Sequence, residues 1–274
     1  MYWKKFRLLT VFIFFVFGFT FTGCNTNEET GFNNQVKPVE IADTISFKKK
    51  MERLIETKLD IPATEDYSIQ IKRKHINPDT TSDALILINR MDYAYKRAKS
   101  NSTENFFNNT GHTGPYNYVF VYNGSTKKLI STDPVGSTAD ISLTSQFLEL
   151  TSAAHQDFYV NYRIRNSMFR NYYTVRKDDI YLTFSCPVFD SIGQNDPVAY
   201  AIEHPRSSVR IAKDIALYKG KIVGYNSNNI ENVNAYYPKQ IIKVGDLYAY
   251  FIFDQKSMKY KTPMRKKEPN TPRN

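Results

Sequence analysis

Between Tyr67 and Phe253 the chain returns again and again to short runs in which apolar and polar residues alternate. A period of two puts successive side chains on opposite faces of an extended strand, so such runs can bury only one face each and must find a partner layer. Tyr67, Ile69 and Ile71 alternate with Ser68, Gln70 and Lys72, and the same pattern recurs over 158–164, 173–175, 180–189, 198–203, 215–223, 240–244 and 247–253. Ala84–Asn89 is a short continuous apolar run, which suits a strand buried on both faces. Asn77-Pro78-Asp79 marks a turn, and Asn123-Gly124 joins 116–122 to 127–131 as a hairpin. Residues 141–150 fit either a helix or a bulged strand, and their interleaved Thr and Ser favour the strand. The sum is about eleven strands with turns at near-regular spacing.

These observations predict a mainly β fold, or a β-rich α+β one, built as an antiparallel sandwich or barrel-like sheets. One or two short helices accompany it. Phe47, Met51, Leu54 and Ile55 recur at helical spacing within 46–58, and 90–100 reads as a second helix. Residues 101–115 are polar and read as a loop. No fixed-period repeat and no alternation of strand with helix is visible, which excludes a doubly wound nucleotide-binding sheet.

The ends have a different character. Lys4, Lys5 and Arg7 precede an almost wholly apolar stretch, 8–21, which is too short to span a bilayer and of the right length for a secretion signal. It ends in Phe21-Thr22-Gly23-Cys24. Small residues before a cysteine at the end of such a stretch resemble the lipobox of bacterial lipoproteins, with Phe21 where that family usually has Leu. The resemblance implies cleavage after Gly23 and acylation of Cys24, whose thiol is the side chain suited to accept a diacylglyceryl group. Two or three acyl chains hold a protein stably to a bilayer. By the same resemblance, Asn25 in place of Asp after the cysteine permits delivery to the outer membrane, facing either the periplasm or the cell surface. Glu28 and Glu29 weakly resemble an acidic export stretch, but solubility of the segment explains them as well.

The domain organisation follows: a signal over 1–23, a polar tether over 24–45, one β-rich domain over 46–255 and a basic, disordered tail over 256–274. The signal holds three of the positive charges and the tail a net six, so of the formal net +10 only about +1 remains for tether and domain. That argues against a nucleic-acid-binding face, which needs clustered positive charge on the fold. Cys186 is the one cysteine besides Cys24, so no intramolecular disulfide supports the domain, and its place in a strand reads as a small buried residue. The core must come from ordinary packing, with 20 Tyr and 19 Phe to supply it.

No catalytic motif is visible: GxSxG, SxxK and HExxH are absent, and His75, His112, His155 and His204 fall at no metal-ligand spacing. No cofactor is implied. Asn77, Asp79 and Asp83 resemble the acidic loop of calcium-binding propeller repeats only in part, without its glycine, and an Asx-capped hairpin turn is the competing reading. The densest constellation is 161–173. On a strand, Arg163 and Arg165 share one face, with Arg170 and Tyr172 after a bend at Asn166-Ser167. Guanidinium forks beside phenol rings suit carboxylate, phosphate or sugar-acid ligands. A purely structural role, with the arginines paired to Asp157, Asp178 or Glu203, is the alternative. The expected partners are thus a bilayer, through Cys24, and an anionic or glycan ligand or an envelope protein. The other functional readings are a structural subunit of an envelope complex and an envelope hydrolase acting on glycans, whose two carboxylates could lie far apart in the sequence.

Overall fold

A computed structural model describes residues 39–263, so the signal, Cys24, most of the tether and residues 264–274 lie outside the described part. The described residues from Thr44 onward form one compact unit. It is mainly β, with two antiparallel sheets and three α-helices among the described residues.

The first sheet contains β1 (Ser68–Lys74), β2 (Asp83–Asn89), β3 (Thr113–Tyr122), β4 (Leu129–Ser131) and β5 (Val135–Thr138), the last two both paired to β3. Its two faces are covered differently. Leu85, Leu87, Val119 and Val121 meet Phe158, Val160, Tyr173 and Val175 of the second sheet. On the reverse face Ile86, Ile88 and Phe120 receive Met51 and Ile55 of α1 (Val39–Leu59). All seven residues of β2 are buried, as its unbroken apolar run requires.

The second sheet is a meander in which every strand pairs with its sequence neighbour: β6 (Thr144–Leu148), β7 (Asp157–Ile164), β8 (Ser167–Arg176), β9 (Asp179–Asp190), β10 (Val198–Glu203), β11 (Ile215–Ile222), β12 (Ile241–Asp254) and β13 (Lys259–Lys261). β9 and β10 share only the rungs Val198↔Asp190 and Ala199↔Phe189. There the sheet folds back on itself. The Phe251 ring reaches within 4.4 Å of Phe184, Tyr260 packs 6.0 Å from the same ring, and Lys259 Nζ donates to Leu182 O. One end of the molecule is therefore a sandwich, and the meander adds a barrel-like curl with its own aromatic core of Tyr172, Phe184, Leu217, Phe251 and Tyr260.

Several boundaries differ from the sequence reading. α1 starts at Val39, inside the stretch assigned to the tether, where Glu40 and Ala42 are good helix formers. The segment read as a loop holds α3 (Glu104–Thr110), which follows α2 (Met91–Ser100) and ends at Gly111 in the left-handed region at φ 68°. His112 there packs against the Phe107 and Tyr116 rings. The basic tail begins later than 256: Asp254 accepts from Lys256 N, Ser257 Oγ and Lys261 Nζ, and Tyr260 is buried, so 254–261 is an ordered hairpin. At Asn123-Gly124 the positive φ falls on Lys127, while Asn123 Oδ1 caps Ser125 N and Thr126 N. Gly124 is needed for closeness instead: a Cβ there would stand 2.2 Å from Ser82 O.

With no disulfide among the described residues, buried polar groups hold the loops. Arg90 grips Glu65 with two charge-assisted bonds, at 2.6 and 2.7 Å, and donates to Leu59 O, fixing the end of α1. Asp79 Oδ1 accepts from Thr81 N, as an Asx turn does. The fully buried Asp83 accepts from Ile76 N at 3.0 Å, Asn77 N at 2.8 Å and Gly124 N at 2.9 Å, tying two turns to the start of β2. Asp83→Ala leaves three buried donors without an acceptor. Each orphaned donor costs about 1–3 kcal/mol, so the variant is expected to lose at least about 3 kcal/mol in urea unfolding, more than the surface variant Asp79→Ala.

Candidate functional site

The turn between β7 and β8 determines the geometry. Arg165 has φ 52°, and the two-residue turn Arg165-Asn166 sets Ile164 opposite Ser167. Counting back, Asn161 lies opposite Arg170 and Tyr159 opposite Tyr172. Two rows of side chains then cross four strands on one face, Thr144–Asn161–Arg170–Cys186 and Gln146–Tyr159–Tyr172–Phe184.

Arg170 is half-buried at the centre of this face. Its guanidinium lies 3.7 Å from the centroid of the Tyr159 ring. Its Nε donates to Asn161 Oδ1 at 2.8 Å and its Nη1 to the Tyr172 hydroxyl at 3.4 Å. Among the described residues no carboxylate forms an ion pair with it. The guanidinium is thus oriented by neutral groups and an aromatic face, with its charge uncompensated and donor capacity to spare.

Behind it lies a buried relay. Tyr172 is fully buried, and its hydroxyl stands 3.0 Å from His204 Nε2. Burial, reinforced by Arg170 and Lys213, lowers the His204 pKa to about 4, and burial raises that of the Tyr172 phenol. At neutral pH His204 is therefore uncharged and Tyr172 protonated. Because Arg170 donates to the phenol oxygen, the phenol proton goes to His204 Nε2, which leaves the imidazole proton on Nδ1. Burial pushes the Cys186 thiol up to about 12, so this cysteine is an inert packing residue rather than a nucleophile.

The four arginine and tyrosine positions singled out in the sequence have unlike fates. Arg170 and Tyr172 come together as described. Arg163 extends the same face of β7 but is 0% exposed, sealed beneath the β11–β12 connection. It donates to Tyr236 O at 2.7 Å, Val233 O at 3.0 Å and Arg165 O at 2.9 Å, and stacks 4.8 Å from the Phe189 centroid. Every guanidinium nitrogen is occupied by main chain, so Arg163 holds that connection in place and is not a ligand contact. Arg165 does not share its face, because the left-handed turn intervenes; its guanidinium lies 5.6 Å from the Phe106 centroid on α3. Nor do these arginines pair with the acids considered: Asp178 takes Lys128, Glu203 takes Lys243, and Asp157 caps Leu150 N and Thr151 N.

The place of Tyr159, Asn161 and His204 in the site is not apparent in the sequence, although Asn161 opens the 161–173 constellation and His204 is among the histidines weighed there. The two-residue turn at Arg165-Asn166 was a signal for the first two, since it fixes the register. His204 arrives from β10, and nothing local in Glu203-His204-Pro205 announces its partner.

The chain matches no protein-family model, no curated protein and no solved structure.

The relay makes stability depend on pH with a definite sign. His204 is harder to protonate in the fold than in the unfolded chain, so between pH 6.5 and about 4 the unfolded state binds more protons. The contribution is complete above pH 6.5, falls as the pH drops, and is gone near pH 4. It amounts to about 3 kcal/mol. Urea midpoints across this window should fall more steeply for the parent than for His204→Gln; parallel curves would remove His204 from the account.

Proposed function

We propose that this protein is a bacterial envelope lipoprotein, held to the outer membrane through acylated Cys24, whose β domain binds an anionic ligand such as a sugar acid at Arg170. One observation carries the ligand reading. A charged guanidinium without a carboxylate partner among the described residues is held half-buried on Tyr159 by Asn161 and Tyr172. These contacts orient the fork before a ligand arrives, which lowers the entropic cost of binding. A planar acceptor, carboxylate or phosphate, matches its free edge, and Tyr159 offers a flat surface for a sugar ring. The anchor reading rests on the resemblance of 1–24 to lipoprotein leaders.

Two measurements test the halves separately. Hexuronic acid oligomers and inorganic phosphate serve as probes in thermal-shift titrations. The parent is expected to gain stability, Arg170→Ala to gain none and Arg170→Lys to gain less than half as much; an unchanged response in Arg170→Ala rejects the site. For the anchor, Cys24→Ser is expected to leave the membrane fraction and to lose the mass of a lipid at its N-terminus. A parent chain that carries no lipid rejects the anchor.

A second reading, a subunit of an envelope complex, is favoured by β12. β13 pairs only with Ile252–Asp254, so the preceding part of β12 has one sheet neighbour, and Val244, Leu247 and Tyr248 are exposed along it. Such an edge can accept another chain's strand. Stoichiometric partners retained under mild detergent, and lost in Leu247→Lys, would favour it.

A further inference from the structure

The loop between β10 and β11 carries the two most exposed apolar side chains of the described residues: Val209 is 80% and Ile211 84% exposed. Large aliphatic groups left this open at the tip of a surface loop indicate a second, apolar environment. The tip is preformed. Ser207 Oγ accepts from Val209 N at 3.3 Å and Arg210 N at 3.2 Å, while Arg210 clamps the buried Asp214 with two bonds of 2.8 Å. Arg206 is exposed beside it, and Lys213 borders the cleft under it, against the single carboxylate of Glu149. A neighbouring cavity of about 600 Å3 is lined by Ile211, His155, Arg176 and Met258. The combination is an aliphatic point inside a ring of mostly positive groups.

The place of this tip in the fold matters as much as its chemistry. Pro78, in the β1–β2 turn, lines the same cavity as Val209 and Ile211, and Gln156 N donates to His75 O of that turn. Lys213 N donates to Leu150 O. All these connections therefore gather at one end of the sandwich. The first turns of α1 in this unit lie at that end too: Phe47 meets the Tyr122 ring at 5.7 Å and Arg73 at 5.0 Å, on the last rungs before the β1–β2 turn. The chain thus enters the unit at the end that carries the tip, and the residues between Cys24 and Val39 span no more than about 55 Å even when fully extended.

We infer that the 205–213 tip is a membrane-contact site, inserting Val209 and Ile211 among the acyl chains of a lipid surface with anionic headgroups. This rests on the reading of Cys24 as the lipid-bearing residue. The aliphatic pair supplies apolar burial, and Arg206 and Lys213 face the phosphates, as in other basic surface anchors, while Arg210 stays paired to Asp214. The anchor holds the domain near the bilayer, and the tip sets which end faces it.

The test uses the full chain, expressed with its own leader, purified from membranes and reconstituted into vesicles. Cys186 is buried, so Ile211→Cys takes an environment-sensitive dye at a single exposed thiol of the domain, and Ala63→Cys at the opposite end is the control. In phosphatidylglycerol–phosphatidylethanolamine vesicles the dye at 211 should shift to the blue and lose iodide quenching, and the dye at 63 should not. The shift should weaken in phosphatidylcholine vesicles and on adding Arg206→Glu. A dye at 211 as open to iodide as the one at 63 overturns the inference, as does a shift that requires another envelope protein. Intact mass of the same sample scores Cys24. An acylated chain with an open tip overturns the contact site alone, an unacylated chain with a shielded tip overturns the anchor alone, and an unacylated chain with an open tip overturns both.

Discussion

The β7–β8 hairpin packs against a separate core on each of its faces, and the remainder of the domain is arranged around that fact. Tyr172 and Tyr173 are adjacent in sequence, both are buried, and they belong to different cores. Tyr173, with Phe158 and Val160, closes the sandwich against β2 and β3. Tyr172 faces the curl of the meander and meets His204 and Phe184. A one-residue slip in this hairpin would exchange the two sets and lose both cores together. The turn at Arg165 therefore specifies more than its own geometry.

Two arginines on one face of this hairpin show how surroundings decide a side chain's role. Arg163 and Arg170 have the same chemistry and differ in what covers them. The β11–β12 connection brings the carbonyls of Val233 and Tyr236 onto Arg163 and consumes its donors. Among the described residues no segment reaches Arg170 in that way, and its neighbours orient it without neutralising it. Uneven charge matters across the molecule as well. The described residues carry a net charge of about +5, because Lys256, Lys259 and Lys261 belong to the ordered hairpin, and Arg170 and the Arg206–Lys213 loop are local positive places among them.

The class of fold was legible because period-two alternation is a local property, and strands such as 67–71, 158–164 and 180–189 carry it plainly. What escaped notice was set by distant chain. The sealing of Arg163 depends on carbonyls 70 and 73 residues away. The helix over Glu104–Thr110 hid in a polar stretch whose only buried apolar anchor is Phe107. The ordering of Lys259–Lys261 depends on Tyr260 finding the aromatic core from an otherwise basic, proline-rich end. Half of the candidate site, Arg170 and Tyr172, could be named from the sequence; the places of Asn161 and Tyr159 needed the register.

The strictly sequential pairing of β6 through β13 has a consequence for how the domain is made. Each strand of the meander finds its partner in the one just before it, so pairing closes short loops and can advance in the order in which the chain emerges. The β9–β10 rung is the exception, with two pairs only, and the fold-back there is completed when β13 seats Tyr260 against Phe184. The last described strand is thus the latch. A chain still emerging would hold an open aromatic sheet until its last described strand arrived, and that interval is when it would be most prone to aggregate.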